Sequence, residues 1–445
     1  MTTTATSFEH LYKQEFQNLK LGKWVIDPKW IREFREQSIN TFIKLGFPKG
    51  GRGNESWKYT DVRQIAKVPF KAASPHRHEL LPDSEVESVA FAGSRWSRLV
   101  FIDGNYAPQF SSNVATQYNV VLANIAEVMH THSDLLKAHL AQYANHEEEA
   151  FIALNAAFVH DGAFIYVPDD TEIEGPIQIL FLSSSQVEAV ASHPRLLVVV
   201  GKRSKVNILE TYAGLGGGPA FTNSVAEYAI GENSSVHRYR LQREANQTFH
   251  IATTQVDCSI GARFDSVTMD IGSKLARHNL NIKMSGERSQ CHLGGLYSVD
   301  EDQHLDNQTF VDHAAARTSS YQLYKGIASG ASRSVFNGRI LVRKGSQQVE
   351  ASQTNKNLTL SNKAEIDSKP QLEIFDDDVK CKHGAAIGQI DQNALFYMKS
   401  RGLDEKSAKT LLMSGFLSEV IESIAHVPVR ALMDSVIQAK LSWES

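Results

Sequence analysis

The sequence predicts a mainly β protein: a β-solenoid core flanked by helical regions at both ends. Three observations carry this. From about residue 162 to about 397 the chain is dominated by strand-like runs rich in Val, Ile, Thr and Tyr. Turn signals punctuate these runs at Gly201, Gly231, Gly261, Gly286, Gly330 and Ser361, in steps of 30, 30, 25, 44 and 31 residues. The 44-residue step has room for a further turn near Ala314–Arg317. A unit of that length falls in the range of repeat architectures. Finally, little helix-length material interrupts the strands, which argues against alternating β and α units. A β-sandwich is the alternative. The near-regular unit and its persistence favour the solenoid.

Three parts follow: a helical region over 1–160, the core over 161–395 and a helical region over 396–445. In the first, Pro28 opens a helix whose apolar residues Trp30, Ile31, Phe34, Ile39, Phe42, Ile43 and Leu45 recur mostly at spacings of three and four. Gly46, Pro48 and Gly50-Gly51 stop it. Residues 52–60 read as a polar turn with Trp57 and Tyr59 as packing anchors. A short β excursion near 98–121 carries Asp103-Gly104-Asn105, a hairpin-type turn. Residues 122–160 read as helical, most clearly over 147–158. Within the core, Gly214–Pro219 is too short for a linker and reads as a loop projecting from one coil. In the last part Asp404 is placed to cap a helix over 405–424. Leu411, Leu412, Gly415, Phe416, Val420 and Ile424 form an apolar stripe on it, suited either to core packing or to a partner.

The last strand-rich stretch, Lys369–Ile390, should form the end coil of the solenoid. An end coil exposes backbone donors and acceptors that must be capped or paired, so another chain can dock there by strand addition. This stretch holds Cys381 two residues before His383. In an extended segment these two side chains share a face, a soft thiol beside an imidazole. That donor pair suits iron, iron–sulfur clusters or zinc, with further ligands from elsewhere. The plain alternative is a small buried thiol beside a satisfied imidazole. Asp376-Asp377-Asp378 reads as a solvated acidic turn rather than a cation site. Cys291 and His292 are adjacent and face opposite sides of a strand. Cys258 is expected to be buried and inert, and His278, His304 and His313 to lie on the surface.

Composition narrows the function. With 46 basic and 50 acidic residues the formal net charge is −4, without the basic excess of a nucleic-acid binder. No apolar run approaches the roughly 18 residues of a membrane span. The first ten residues lack the charged and apolar regions of a signal peptide. Three scattered cysteines imply free thiols and a reducing, cytoplasmic home. No phosphate-cradling Gly-x-x-x-x-Gly-Lys-Ser/Thr loop is present, so no nucleotide hydrolysis is expected of this chain.

A series of fragments then occurs in a recognisable order. It comprises Trp57-Lys-Tyr-Thr60, Ala153-Leu-Asn-Ala-Ala-Phe158 with Asp161-Gly162, Val335-Phe-Asn-Gly-Arg339 and Ser352-Gln-Thr-Asn-Lys-Asn-Leu358. It continues through Lys369-Pro-Gln-Leu-Glu-Ile374, Asp377-Asp-Val-Lys-Cys-Lys-His-Gly384 and Leu395-Phe-Tyr-Met-Lys-Ser-Arg-Gly402. Together they resemble the SufB/SufD family of iron–sulfur cluster assembly proteins, most closely its SufD branch. The resemblance spans nearly the whole chain, least in the first 50 residues. It implies a right-handed parallel β-helix between helical regions. It also implies a non-catalytic scaffold in a complex with SufB and two copies of the ATPase SufC, with a part in iron supply. Carried onto this chain, the transient cluster or iron site at the subunit interface is Cys381 and His383. The helix near 404–425, with Leu411, Leu412, Phe416, Val420 and Ile424, matches the SufC-binding region. The SufB branch carries a Glu-His-Glu-type sequence where Lys382-His383-Gly384 stands here, which favours SufD and removes neighbouring carboxylates. Beside this stand three other readings: a SufB-like scaffold, a β-helix enzyme acting on carbohydrate, and a homodimer through the same end coil when SufB is absent.

Overall fold

The structure, a computed structural model, describes residues 8–22, 24–51, 53–73, 81–91 and 96–444. The reading of the extreme N-terminus falls partly outside these residues, as does Arg52 of the predicted polar turn. The N-terminal region contains α1 (Phe8–Leu21), α2 (Lys29–Leu45), the single turn α3 (Arg63–Ala66), β1 (Lys71–Ala72) and α4 (Asp83–Val89). Next come β2 (Arg98–Ile102), β3 (Asn105–Tyr106), β4 (Val121–Asn124), α5 (Ile125–Thr131), α6 (Ser133–His139) and α7 (Ala150–Phe158).

These elements follow the sequence closely. Pro28 opens α2 and Gly46, at φ +65°, closes it. Asp103 and Gly104 take positive φ and join β2 to β3 as a two-residue hairpin. All nine residues of α7 are buried, which its nearly all-apolar sequence requires. Trp57 is buried against Phe151, with the Arg277 guanidinium 3.8 Å from its ring centroid. One expectation is corrected: residues 121–124 are not helical but form β4, antiparallel to the first core strand.

The core begins with β5 (Gly162–Val167), β6 (Glu172–Ser183), the short β7 (Val190–Ser192), β8 (Arg195–Val200), β9 (Lys205–Gly214) and β10 (Ala220–Ile230). It continues with β11 (Ser235–Arg243), β12 (Thr248–Cys258), β13 (Arg263–Asp270), β14 (Leu275–Met284), β15 (Gln290–Val299) and β16 (His304–His313). It ends with β17 (Ser319–Ala328), β18 (Arg333–Val342), β19 (Val349–Thr359), β20 (Glu365–Ile374) and β21 (Val379–Gly388). Strands alternate between two sheets. One runs β20-β18-β16-β14-β12-β10-β8-β5-β4 and the other β21-β19-β17-β15-β13-β11-β9-β6-β2-β3. Every contact between successive coils is parallel, which makes the core a parallel β-solenoid of about 8 turns.

The register fixes the repeat. Ser235, Arg263, Gln290, Ser319, Glu350 and Lys380 stand side by side, in steps of 28, 27, 29, 31 and 30 residues. The turn expected near 314–317 is present, with Arg317 at φ +58°. Corners stack as strands do. The N–H groups of Arg203, Asn233, Gly261, Arg288, Arg317 and Gln348 each donate to a carbonyl in the next coil, so the turn backbone is satisfied along the axis. The Gly214–Pro219 loop does not project. Gly218 N–H donates to the Ser185 carbonyl, and a Cβ on Gly216 would lie 2.0 Å from that same oxygen.

The lumen is filled mainly by inward residues of both sheets, among them Ile208, Tyr228, Val236, Phe264, Leu293 and Tyr324. Its middle coils also hold a charged layer. Arg238 donates to both Glu210 carboxylate oxygens at 2.6 and 2.9 Å, Tyr228 donates to the same carboxylate, and Arg240 pairs with Asp270. Two of the histidines expected on the surface lie inward instead: His278 bonds Thr254, and His313 bonds Thr318 and Ser320. His304 is on the outer face as expected, but it is half-buried there against Thr60 of the N-terminal region. Strand alternation, rather than the polarity of their neighbours, sets their direction.

Candidate functional site: the open end coil

Among the described residues, only one side of β20 and one side of β21 is paired, to β18 and β19 respectively. These two strands close the solenoid with a full row of backbone groups facing away from it. β21 is mostly exposed, and Ile374, Phe375 and Ile387 add exposed apolar surface beside it.

Cys381 stands next to Ala351 in the register and His383 next to Gln353. Both neighbours are buried, so the shared face of Cys381 and His383 is the one turned to the lumen. Cys381 is half-buried against the core and His383 is exposed at the mouth. Below them the lining turns from apolar to amide. Gln353 Nε2 donates to Gln322 Oε1 at 3.3 Å, while Gln353 Oε1 is buried with no hydrogen-bond partner. That stranded acceptor lies one strand below His383. Sequence reasoning missed both glutamines, because polar residues on a strand read as outward-facing.

Burial pushes the Cys381 thiol above its ordinary range, and a hydrogen bond with the Ala351 backbone offsets part of this. Burial also raises Cys291 and, still more, Cys258, both fully enclosed. Alkylation with iodoacetamide near pH 8 is therefore expected to label Cys381 alone in the native chain, and all three thiols in urea, as read by mass spectrometry. Rapid native labelling of Cys258 or Cys291 would contradict their enclosure. Cys291 points inward and His292 outward, as expected for neighbours on a strand. Among the described residues no group of three or more His, Cys, Asp or Glu side chains is gathered to hold a metal. Cys381 and His383 supply two donors on an open face, short of a closed tetrahedral set.

The second predicted surface divides. The C-terminal region forms α8 (Gln392–Ser400), α9 (Glu405–Glu422) and α10 (Val427–Glu444). Asp404 caps α9, accepting from Ser407 N–H at 2.9 Å and its hydroxyl at 2.6 Å. Val420 and Ile424 are buried with Met413 and Leu417 against the outer face of the second sheet. They hold the helix to the core and offer a partner nothing. Lys325 reinforces this seat, donating to the Phe416 carbonyl at 2.7 Å and pairing with Glu419 at 2.8 Å. Leu412 and Phe416 are half-buried, and Leu411 is exposed. The larger exposed apolar groups are Phe396 and Tyr397 on α8, quoted within the Leu395–Gly402 fragment but not chosen as contacts.

Comparison with known proteins agrees with this architecture. Residues 181–416 match the model of the SUF system FeS cluster assembly SufBD core domain, and residues 2–179 that of the SufBD protein N-terminal region. The chain is 32% identical to an iron–sulfur cluster assembly SufBD family protein of Synechocystis, covering 83% of each chain. It is 27% identical to the iron–sulfur cluster assembly protein SufD of Escherichia coli, covering 87% of this chain and 88% of that one. Within Bacillus subtilis, it is 25% identical to SufD over 93% of this chain and 95% of that protein, and 23% identical to SufB over 88% and 85%. No described helix is long and apolar enough to cross a membrane. The chain belongs to the SufBD family of iron–sulfur cluster assembly proteins, on its SufD branch.

Proposed function

We propose that this chain is a cytoplasmic, non-catalytic scaffold subunit that pairs through its open end coil with a SufB-type subunit. The nascent cluster, or the iron destined for it, is cargo at that junction. Cys381 and His383 contribute two of its ligands and the partner completes the set. The observation that carries this reading is the coincidence of two features at one place: unpaired parallel strand edges, and a thiol and an imidazole on one face of the outermost strand. Strand addition supplies affinity there, and the missing ligands explain why the site is left open. An ATPase of the SufC type docks on the C-terminal helices through Leu411, the accessible parts of Leu412 and Phe416, and the exposed Phe396 and Tyr397.

The test is co-purification of the chain with its SufB and SufC partners, with iron and acid-labile sulfide assayed for wild type and His383→Ala. His383 is exposed, so its loss should leave the fold intact. The expected result is a stable complex whose cluster content falls. A stable complex with unchanged content would reduce the chain to an architectural spacer, and no complex would overturn the pairing itself.

A further inference from the structure

We propose that a cavity between the N-terminal region and the solenoid binds a small organic anion bearing phosphate groups. It has a volume of about 730 Å³ and lies between the loop following α2, residues 58–67, and Arg333 of β18. Five cations line it, Lys49, Lys58, Arg63, Lys67 and Arg333, against one carboxylate, Asp61. In a chain of net charge −4 this is a marked local excess. Asp61 is engaged by Arg63 at 2.5 Å and Arg333 by Asp367 at 2.6 Å. Among the described residues, the ammonium groups of Lys49, Lys58 and Lys67 have no carboxylate within 4 Å. The Tyr59 side chain, and then Glu55 and Asp367 at longer range, raise the Lys58 ammonium, so this group favours a negative neighbour, and a multivalent anion supplies the close counter-charge that the three lysines lack.

The backbone adds to the case. Gly51 takes φ +93°, and a Cβ built there meets nothing within 4 Å. Among the described residues, the N–H groups of Lys49, Gly50 and Gly51 donate to no acceptor. Successive free N–H groups in a glycine turn are an anion-binding device. The lining around Thr60 is anchored. Trp57 is buried, and the buried Thr60 hydroxyl donates to Asp306 at 2.5 Å and meets His304 Nε2 at 2.9 Å. Guanidinium groups beside ammonium groups suit tetrahedral phosphate oxygens, and the volume exceeds that of a bare ion and is of the size of small-molecule sites.

The test is isothermal titration of the full chain with inorganic pyrophosphate at about 150 mM salt, where loose surface attraction is screened. Saturable binding at one site is expected. A Lys49→Ala/Lys67→Ala variant should bind at least about tenfold more weakly, because two charge-assisted contacts are lost. Its thermal unfolding should match wild type, since both side chains are exposed. Lys202→Ala/Lys283→Ala, which removes exposed lysines outside the cavity, should leave binding unchanged. The proposal is overturned if wild type shows no saturable binding, or if the cavity variant binds as tightly as wild type. It is equally overturned if the remote variant loses as much, or if citrate binds as well as pyrophosphate.

Discussion

Replacing Arg238 with alanine is expected to destabilise the fold by about 3–5 kcal/mol, the range for stripping one partner from a buried ion pair. Arg238 and Glu210 are both fully enclosed in the lumen, and the guanidinium grips the carboxylate with two hydrogen bonds. Burial alone would raise the Glu210 carboxyl, but the charge and hydrogen bonds of Arg238, with Tyr228, outweigh it and hold it below the ordinary carboxylate range. The sign of the pH dependence follows. In wild type, a depressed folded pKa contributes stability that is complete above the unfolded value and is lost as pH falls through the folded one. In Arg238→Ala, burial is unopposed by that cation and Glu210 moves upward, so the carboxyl takes a proton rather than remain charged. The gap between wild type and variant in urea unfolding should therefore be widest near neutral pH and narrow on acidification. A second variant separates charge from volume: Arg238→Met with Glu210→Leu should recover much of the loss, because an apolar pair of similar size needs no desolvation. A single variant as stable as wild type at pH 7 would show that the pair is not enclosed.

How much of this was legible in the sequence follows from what strands and turns reveal. The repeat was readable because corners need turn residues at fixed intervals, and Gly231, Gly261 and Gly286 stand at corners in the structure. The end coil was readable because Lys369–Ile390 is the last β-rich stretch, and β20 and β21 occupy it. Cys381 and His383 fell on one face because a strand has a period of two. The charged lumen was not readable. In Val236-His237-Arg238-Tyr239-Arg240 the arginines share a face with Val236 and point inward, while Tyr239 points outward beneath the C-terminal helices. Polarity alone assigns the opposite faces, and only pairing with strands far along the chain reveals the partners Glu210 and Asp270. The same limit applies to α9. Its apolar residues cover more than one side of the helix, and the sequence does not say which side the sheet takes. Lys325, some ninety residues earlier, helps decide it by fixing the Phe416 carbonyl.

Charging the rim of the open end coil is expected to sever the complex while sparing the subunit. Phe375 is 65% exposed and Ile387 is 52% exposed in the isolated chain. Phe375→Asp with Ile387→Asp removes little packing and strands no buried group, so unfolding of the isolated chain should shift by no more than about 0.5 kcal/mol per site. Docking changes the cost. A SufB-type strand laid against β21 would take both new carboxylates out of water with no cation opposite, and the desolvation penalty of an unpaired charge is several kcal/mol. Recovery of the SufB-type partner in a pull-down should fall at least about tenfold, corresponding to 1.4 kcal/mol or more. A companion Leu411→Asp variant, on the C-terminal helices, should keep the SufB-type subunit and lose the ATPase instead. The two variants make the two surfaces independently testable. If the rim variant retains its partner in full, the unpaired edges of β20 and β21 do not carry the contact. Cys381 and His383 would then open onto solvent, where two donors cannot hold a cluster against competing thiols. The ligand role proposed for His383 therefore depends on the docking role proposed for the strand that carries it, and the rim variant tests both.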